Sequence, residues 1–173
     1  NDGGSTWTVT DTSVTGNTGI SQTTGSKTIT WTAGTDFDGN YETDMQVRIR
    51  AKDKYQNQGT NTASANFILD TKDPVSLAGL TWASDTSVTA TLTWTSATDN
   101  TFDHYELWYG TVQNDVENRN GTAQEWDNAD DATLATATTA TTTITGLTEG
   151  ATYYVKIWAI DDYGNSSTLA TVT

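Results

Sequence analysis

Leu147-Thr148-Glu149-Gly150-Ala151-Thr152-Tyr153-Tyr154-Val155-Lys156-Ile157-Trp158-Ala159 is the stretch on which the fold turns. Tyr153, Val155, Ile157 and Ala159 alternate with Tyr154, Lys156 and Trp158, the period of a strand with one face on a core. Gly150 marks the turn before it. The same grammar runs outward on the N-terminal side. Val88, Ala90, Leu92 and Trp94 alternate with threonines, and Tyr105, Leu107 and Tyr109 alternate with Glu106 and Trp108. Gly110 and Gly164 mark further turns, and the run Thr138 to Thr145 holds Ile144 before Gly146-Leu147. Together these segments predict a seven-strand antiparallel sandwich of about 100 residues.

The residues 147–159 resemble the E–F corner of a fibronectin type III domain, whose pattern is Leu-x-Pro-Gly-Thr-x-Tyr-x-Val-x-Val-x-Ala. Tyr153 falls at the tyrosine-corner position, which implies a hydroxyl bonded to backbone upstream. Glu149 stands where the family usually has proline. Trp94 on the second strand and Tyr105 on the third match the family's core aromatics. The resemblance covers about residues 75–173 and is specific for fold rather than chemistry.

The chain's one proline, Pro74, sits in Asp70-Thr71-Lys72-Asp73-Pro74. It biases Asp73 toward extended backbone and marks a boundary between a domain at 1–72 and one at 73–173. In the first, Asp2-Gly3-Gly4-Ser5-Thr6-Trp7-Thr8-Val9 reads as a hairpin turn entering a strand. Ile29 and Trp31 alternate in the next strand, Val47, Ile49 and Ala51 in another, and Phe67 and Leu69 close the domain. These segments resemble bacterial secreted Ig-like repeats, in which three strands normally precede the DGG turn. The resemblance implies an Ig-like sandwich lacking its opening strands. Three accounts stay open: an arbitrary cut, strands supplied by another chain through β-augmentation, or a smaller sheet closing on the second domain. The fold class expected is therefore all-β, two tandem antiparallel β-sandwich domains.

Composition agrees. Charged residues make up 17% of the 173 and aromatic residues 10%, and 39 positions are threonine. Threonine and large rings suit a pleated, half-buried surface and are too apolar for a disordered chain. No run of about 18 apolar residues exists, so no membrane-inserted helix is expected in this segment. Eight Lys and Arg against 22 Asp and Glu give a net charge of −14, which opposes nucleic acid and anionic lipid as partners. No cysteine is present, which excludes disulfides and thiolate sites.

The acidic loops carry the candidate site. Asp36-Phe37-Asp38-Gly39-Asn40-Tyr41-Glu42-Thr43-Asp44 reads as the E–F loop of the first domain, Asp70 and Asp73 lie in the linker, and Asp99, Asn100 and Asp103 form the B–C loop of the second. Asp161, Asp162 and Asn165 belong to its F–G loop. Calcium takes six to eight oxygens and relieves repulsion among carboxylates. Asp36, Asp38, Asp73 and Asp99 are the first ligands expected, with a calcium ion at the domain joint as the one cofactor. The run from Asp36 is not an EF-hand, since no Glu occupies the twelfth position. The other reading is that Asp, Asn and Gly simply make good turns. Lys52 to Gly59, read as the F–G loop of the first domain, is either a head-to-tail contact or a solvated loop.

Trp108 and Trp158 sit outward on strands, as an interface or as mutual packing. Trp126, in a long segment between strands, reads as a lid folded over the sheet. Asn120-Gly121-Thr122 and Asn165-Ser166-Ser167 are N-glycosylation sequons. One histidine, His104, and no Gly-x-Ser-x-Gly elbow leave no catalytic constellation, and no enzyme is expected. The reading as a whole is a structural subunit or segment of a bacterial extracellular or cell-surface filament, stalk or adhesin. Its partners would be other copies of itself, head to tail. The alternative is a carbohydrate- or protein-binding accessory module of a larger secreted protein, with glycans as partners.

Overall fold

The computed structural model describes residues 6–19 and 22–173, and the chain divides into two compact units, Asn1–Lys72 and Asp73–Thr173. The expected DGG turn at Asp2–Gly4 lies outside the described residues.

In the first unit, β1 (Val14–Gly16) pairs antiparallel with β2 (Ile29–Trp31). A single helical turn, α1 (Ala33–Asp36), follows. β3 (Tyr41–Met45) pairs with β6 (Phe67–Asp70), and β4 (Arg48–Ile49) with β5 (Thr62–Ala63). Among the described residues these are three separate two-stranded pairs. Met45 is the one buried hydrophobic residue there, whereas Ile29, Val47, Ile49, Phe67 and Ile68 are exposed.

Two expectations are corrected. Trp7 to Val9 form no strand. Asp36 to Asp44 are not one loop, because alternating Tyr41, Thr43 and Met45 extend as β3 while Ala33 to Asp36 close a helical turn. The Ig-like repeat itself is not confirmed.

The second unit holds seven strands. β7 (Ala78–Asp85), β8 (Thr89–Thr95) and β11 (Thr141–Thr145) form a sheet ordered β11-β8-β7. β9 (Phe102–Gly110), β10 (Gln124–Trp126), β12 (Tyr154–Asp161) and β13 (Ser166–Thr168) form the other, ordered β10-β9-β12-β13. A short helix α2 (Gln113–Glu117) joins β9 to β10, and a 3-10 turn spans Ala132–Ala135. Period two decides which side chains face in. On β8, Leu92 and Trp94 are buried, and on the central pair Tyr105, Leu107, Val155 and Ile157 meet them in one cluster. Threonines take the alternate positions, Thr93 opposite Thr141 and Thr91 opposite Thr143, where the two hydroxyls of the latter pair lie 3.0 Å apart. This is β-branched side-chain pairing across a ladder, which accounts for the threonine content locally.

Tyr105 shows no exposed surface and meets Trp94 edge-on, with ring centroids 5.3 Å apart. Its hydroxyl donates to the Ala137 carbonyl and accepts from Ala97 N–H, each at 2.6 Å. One phenol thus ties the loop after β8 to the segment before β11. Burial pushes its ionisation up.

Candidate functional site

At the pole formed by the β8–β9 and β12–β13 connections, short polar residues make Asx turns. Asp99 Oδ1 accepts from Thr101 N–H at 2.7 Å and from its hydroxyl at 3.0 Å. Asp161, at the end of β12, accepts from Tyr163 N–H, Asn165 N–H and Asn165 Nδ2 at 2.7 to 2.9 Å. The two loops are stitched together by Asp162 N–H to the Thr101 carbonyl at 2.8 Å. A carboxylate oxygen of Asp99 and one of Asp161 lie within 4.8 Å of each other. Asp161 is buried and Asp99 half-buried. Asp161 lies on the F–G loop that the sequence offers and is not one of the four first ligands expected from it. The close approach comes from the β9–β12 register, which spacing along the chain does not reveal.

The expected ligands divide between the units. Asp36 and Asp38 belong to the first, Asp73 and Asp99 to the second. Asp36 is already a hub. Its Oδ1 accepts from the Thr12 hydroxyl, and its Oδ2 accepts from Ser13 N–H at 3.0 Å, the Ser13 hydroxyl at 2.7 Å and Trp31 Nε1 at 2.8 Å. The hydroxyl bonds from Thr12 and then Ser13 hold its carboxyl well below the usual carboxylate range. That arrangement fixes β1 and β2 onto α1 and gives the carboxylate four donors. Asp38 sits in a turn where its carbonyl accepts Asn40 Nδ2 at 2.7 Å. In the Lys52–Gly59 loop, Asp53 closes a tight turn through Tyr55 and Asn57, with Asn57 Nδ2 at 2.7 Å lowering its ionisation.

Of the outward tryptophans, Trp108 is half-buried and Trp158 is covered. Trp158 on β12 is only 6% exposed, with the Arg119 guanidinium and the Lys156 ammonium each 5.0 Å from its ring centre. Arg119 Nη1 donates to Glu106 Oε1 at 3.3 Å, and Trp108 Nε1 donates to the same oxygen. Glu106 is buried at 7% exposure. Next to it, Glu125 on β10 has its ionisation pushed up by desolvation and then by the Glu106 charge. The patch is a structural ion pair, not an aromatic platform. Trp126 folds back over the core as the lid reading expects, with Nε1 donating to the Thr142 hydroxyl at 3.0 Å, although it lies on the three-residue strand β10 rather than in a loop.

Of the sequons, Asn120 lies exposed after α2, while the Asn165 side chain is tied to Asp161. His104 Nδ1 lies 3.0 Å from Oδ2 of its neighbour Asp103. At the opposite pole an open groove of about 700 Å³ is lined by Trp82, Asp85, Leu147, Glu149 and Tyr153, with several threonine hydroxyls. Here Thr148 N–H donates to the Tyr153 hydroxyl at 3.1 Å, which is the tyrosine corner.

A three-plus-four antiparallel sandwich with a tyrosine corner and a buried Trp–Tyr pair defines the class of fibronectin-type modules. The chain belongs to the Fibronectin type III domain family, whose model matches residues 73–173. Domains of this family are generally non-catalytic, are commonly extracellular and serve as modules of larger proteins. No curated protein matches the chain. Among solved structures, the chicken CNTN1 FN1-FN3 domains are 12% identical, with a TM-score of 0.46, over 75% of this chain and 42% of that one. Chitinase ChiA74 from Bacillus thuringiensis is 26% identical, with a TM-score of 0.40, over 58% of this chain and 13% of that one. An FN3 domain of human collagen XX is 20% identical, with a TM-score of 0.38, over 56% of this chain and 88% of that one. The chain therefore spans less than half the length of the first two. Among the described residues no helix is long and apolar enough to cross a membrane.

Proposed function

We propose that this chain is a structural segment of a bacterial extracellular filament, stalk or adhesin, in which copies stack head to tail and a neighbour's strand completes the first unit. The observation that carries this is the contrast between the units. The second is a closed sandwich. The first offers, among its described residues, three two-stranded pairs with Ile49 at 55% exposure and Ile68 at 44%. Open ladder edges beside uncovered apolar side chains are the features that strand addition uses. A heterologous contact of this kind that does not close into a ring propagates as a filament.

Negative-stain microscopy of the purified chain, with light scattering over a concentration series, tests it. Filaments or concentration-dependent oligomers are expected, and Ile49→Lys should disperse them. A monomer at every concentration sinks the reading.

Calcium at the pole of the second unit is part of the same proposal. Asp99 and Asp161 support it, since their oxygens approach within 4.8 Å.

A second reading, an accessory module that binds glycans, draws on the groove beside Trp82 and Tyr153. Its lining offers ring edges, hydroxyls and two carboxylates, and no Lys or Arg, which suits a neutral sugar rather than an anion. Binding of neutral oligosaccharides that Trp82→Phe weakens would favour it.

A further inference from the structure

Asn120-Gly121 is the one Asn-Gly step in the chain. It lies in the strap that joins α2 to β10. The strap is pinned at several points. Val116 of α2 is fully buried, Arg119 reaches Glu106 and Trp158, and Asp115 Oδ2 accepts both Thr122 N–H at 2.8 Å and the Thr122 hydroxyl at 2.9 Å. Asn120 N–H donates to the Asp115 carbonyl at 3.1 Å.

Between these anchors, Asn120 and Gly121 are exposed. Among the described residues, neither the Asn120 side-chain amide nor the Gly121 N–H has a hydrogen-bond partner. Gly121 adopts φ +62°, and a Cβ there would stand 2.4 Å from Asp115 Oδ2. Glycine is thus required at the position, and it leaves the backbone nitrogen unshielded by any side chain. Asn165-Ser166 provides the internal comparison. Asn165 Nδ2 is held by Asp161 Oδ2 at 2.7 Å, and its own N–H by Oδ1 at 2.8 Å.

We propose that Asn120 is a spontaneous modification site, at which its side-chain amide is lost and the strap is re-linked through an isoaspartyl residue. The deprotonated Gly121 nitrogen attacks Asn120 Cγ. The new C–N bond closes a five-membered succinimide, and the side-chain nitrogen leaves as ammonia. Water then adds to the ring. Cleavage of the bond from nitrogen to Cγ gives aspartate, and cleavage at the backbone carbonyl gives isoaspartate. The sum is one water consumed and one ammonia released, with no change of oxidation state. Either product adds a negative charge to a loop that the Asp115 carboxylate of α2 already caps. Isoaspartate also inserts one extra carbon into the main chain, between the Arg119 anchor and the Thr122 anchor. The backbone cannot then keep both, and Arg119 slackens from Glu106.

The test is incubation of the full chain in mildly alkaline buffer at 37 °C, with and without urea, followed by Glu-C digestion at acid pH and mass spectrometry. The peptide Asn118–Glu125 is expected to gain one mass unit in the folded protein several-fold faster than the peptide holding Asn165, with isoaspartate in excess of aspartate. Asn120→Gln should abolish the gain. Hydrogen exchange over residues 113–123 should rise in the isoaspartyl form and stay unchanged in Asn120→Asp, which carries the charge without the extra carbon. An Asn120 amide that outlasts the comparison site, or that is lost only in urea, overturns the proposal. Equal exchange in the isoaspartyl form and in Asn120→Asp overturns the slackening of the strap.

Discussion

Tyr105→Phe removes a single oxygen from the centre of the second unit, and the structure sets what that costs. The ring stays, so the apolar contact with Trp94 is kept. What is lost is one donor to the Ala137 carbonyl and one acceptor for Ala97 N–H, both at 2.6 Å. Ala97 is 5% exposed, so water does not replace the phenol at that N–H. A hydrogen bond contributes about 1 kcal/mol net, and a buried group left unpaired costs about 1–3 kcal/mol. The variant should therefore lose about 2–4 kcal/mol. For a domain near 100 residues each kcal/mol moves the midpoint by roughly 4–8 °C, so Tm should fall by at least about 8 °C.

Tyr153→Phe is the control. Its hydroxyl accepts from Thr148 N–H at 3.1 Å in an exposed turn, where water can take over, and the expected loss is about 1 kcal/mol. Near-ultraviolet circular dichroism, which reports the Trp94–Tyr105 pair, follows both melts. Equal losses in the two variants would refute the reasoning, because burial and a second hydrogen bond both set Tyr105 apart.

Three further outcomes are expected. Asp36 has its ionisation lowered by Thr12 and then Ser13, so the unfolded chain protonates first as pH falls below about 4. The first unit should lose stability from there downward, with the Trp31 indole N–H resonance shifting as its acceptor is protonated; an acid shift that persists in Asp36→Asn would count against the hub. Glu125 is raised by desolvation and Glu106, so protonation favours the fold. Stability from this group is present at low pH and lost as pH rises through its folded value, and Glu125→Gln should melt slightly higher than the parent at neutral pH but not in acid, by thermal melts at both. Millimolar calcium should raise the melting temperature of the second unit, and Asp99→Asn should abolish the rise; no shift in the unaltered chain removes calcium from the proposal.

The second unit was legible because each of its long strands has one face on a core, so period two alone identifies Leu92, Trp94, Tyr105, Leu107, Val155 and Ile157. Alternation is silent on whether anything covers the face it defines. Val47 and Ile49 alternate as an inward pair would, yet they stand 41% and 55% exposed around a two-residue strand. Spacing also hides partners that only register brings together. Thr12 reaches Asp36 across 24 positions, and Arg119 reaches Glu106 across 13, over a tryptophan from a third segment. The sequence displays the charge of a carboxylate and not its donors. For Asp36 those donors are two hydroxyls, an indole and a backbone N–H, residue types that carry no signal at such a distance.

The apolar exposure of the first unit bears on the order of events in assembly. Fully burying an aliphatic or aromatic side chain contributes about 1.5–3 kcal/mol. Ile29, Val47, Ile49, Phe67 and Ile68 are between 36% and 55% exposed, so covering the remainder contributes about 1 kcal/mol apiece, or about 5 kcal/mol together. That equals the low end of the stability of a whole small domain. Two-stranded pairs alone are marginal in water, and Met45, the one buried hydrophobic residue among those described in this unit, adds little to them. A strand received from a neighbour would then be the step that folds the first unit, rather than a clasp between units already folded. Its apparent melting temperature should depend on chain concentration, whereas that of the closed sandwich should not. Two transitions in one calorimetric scan, one moving with concentration and one fixed, are what the proposed assembly demands.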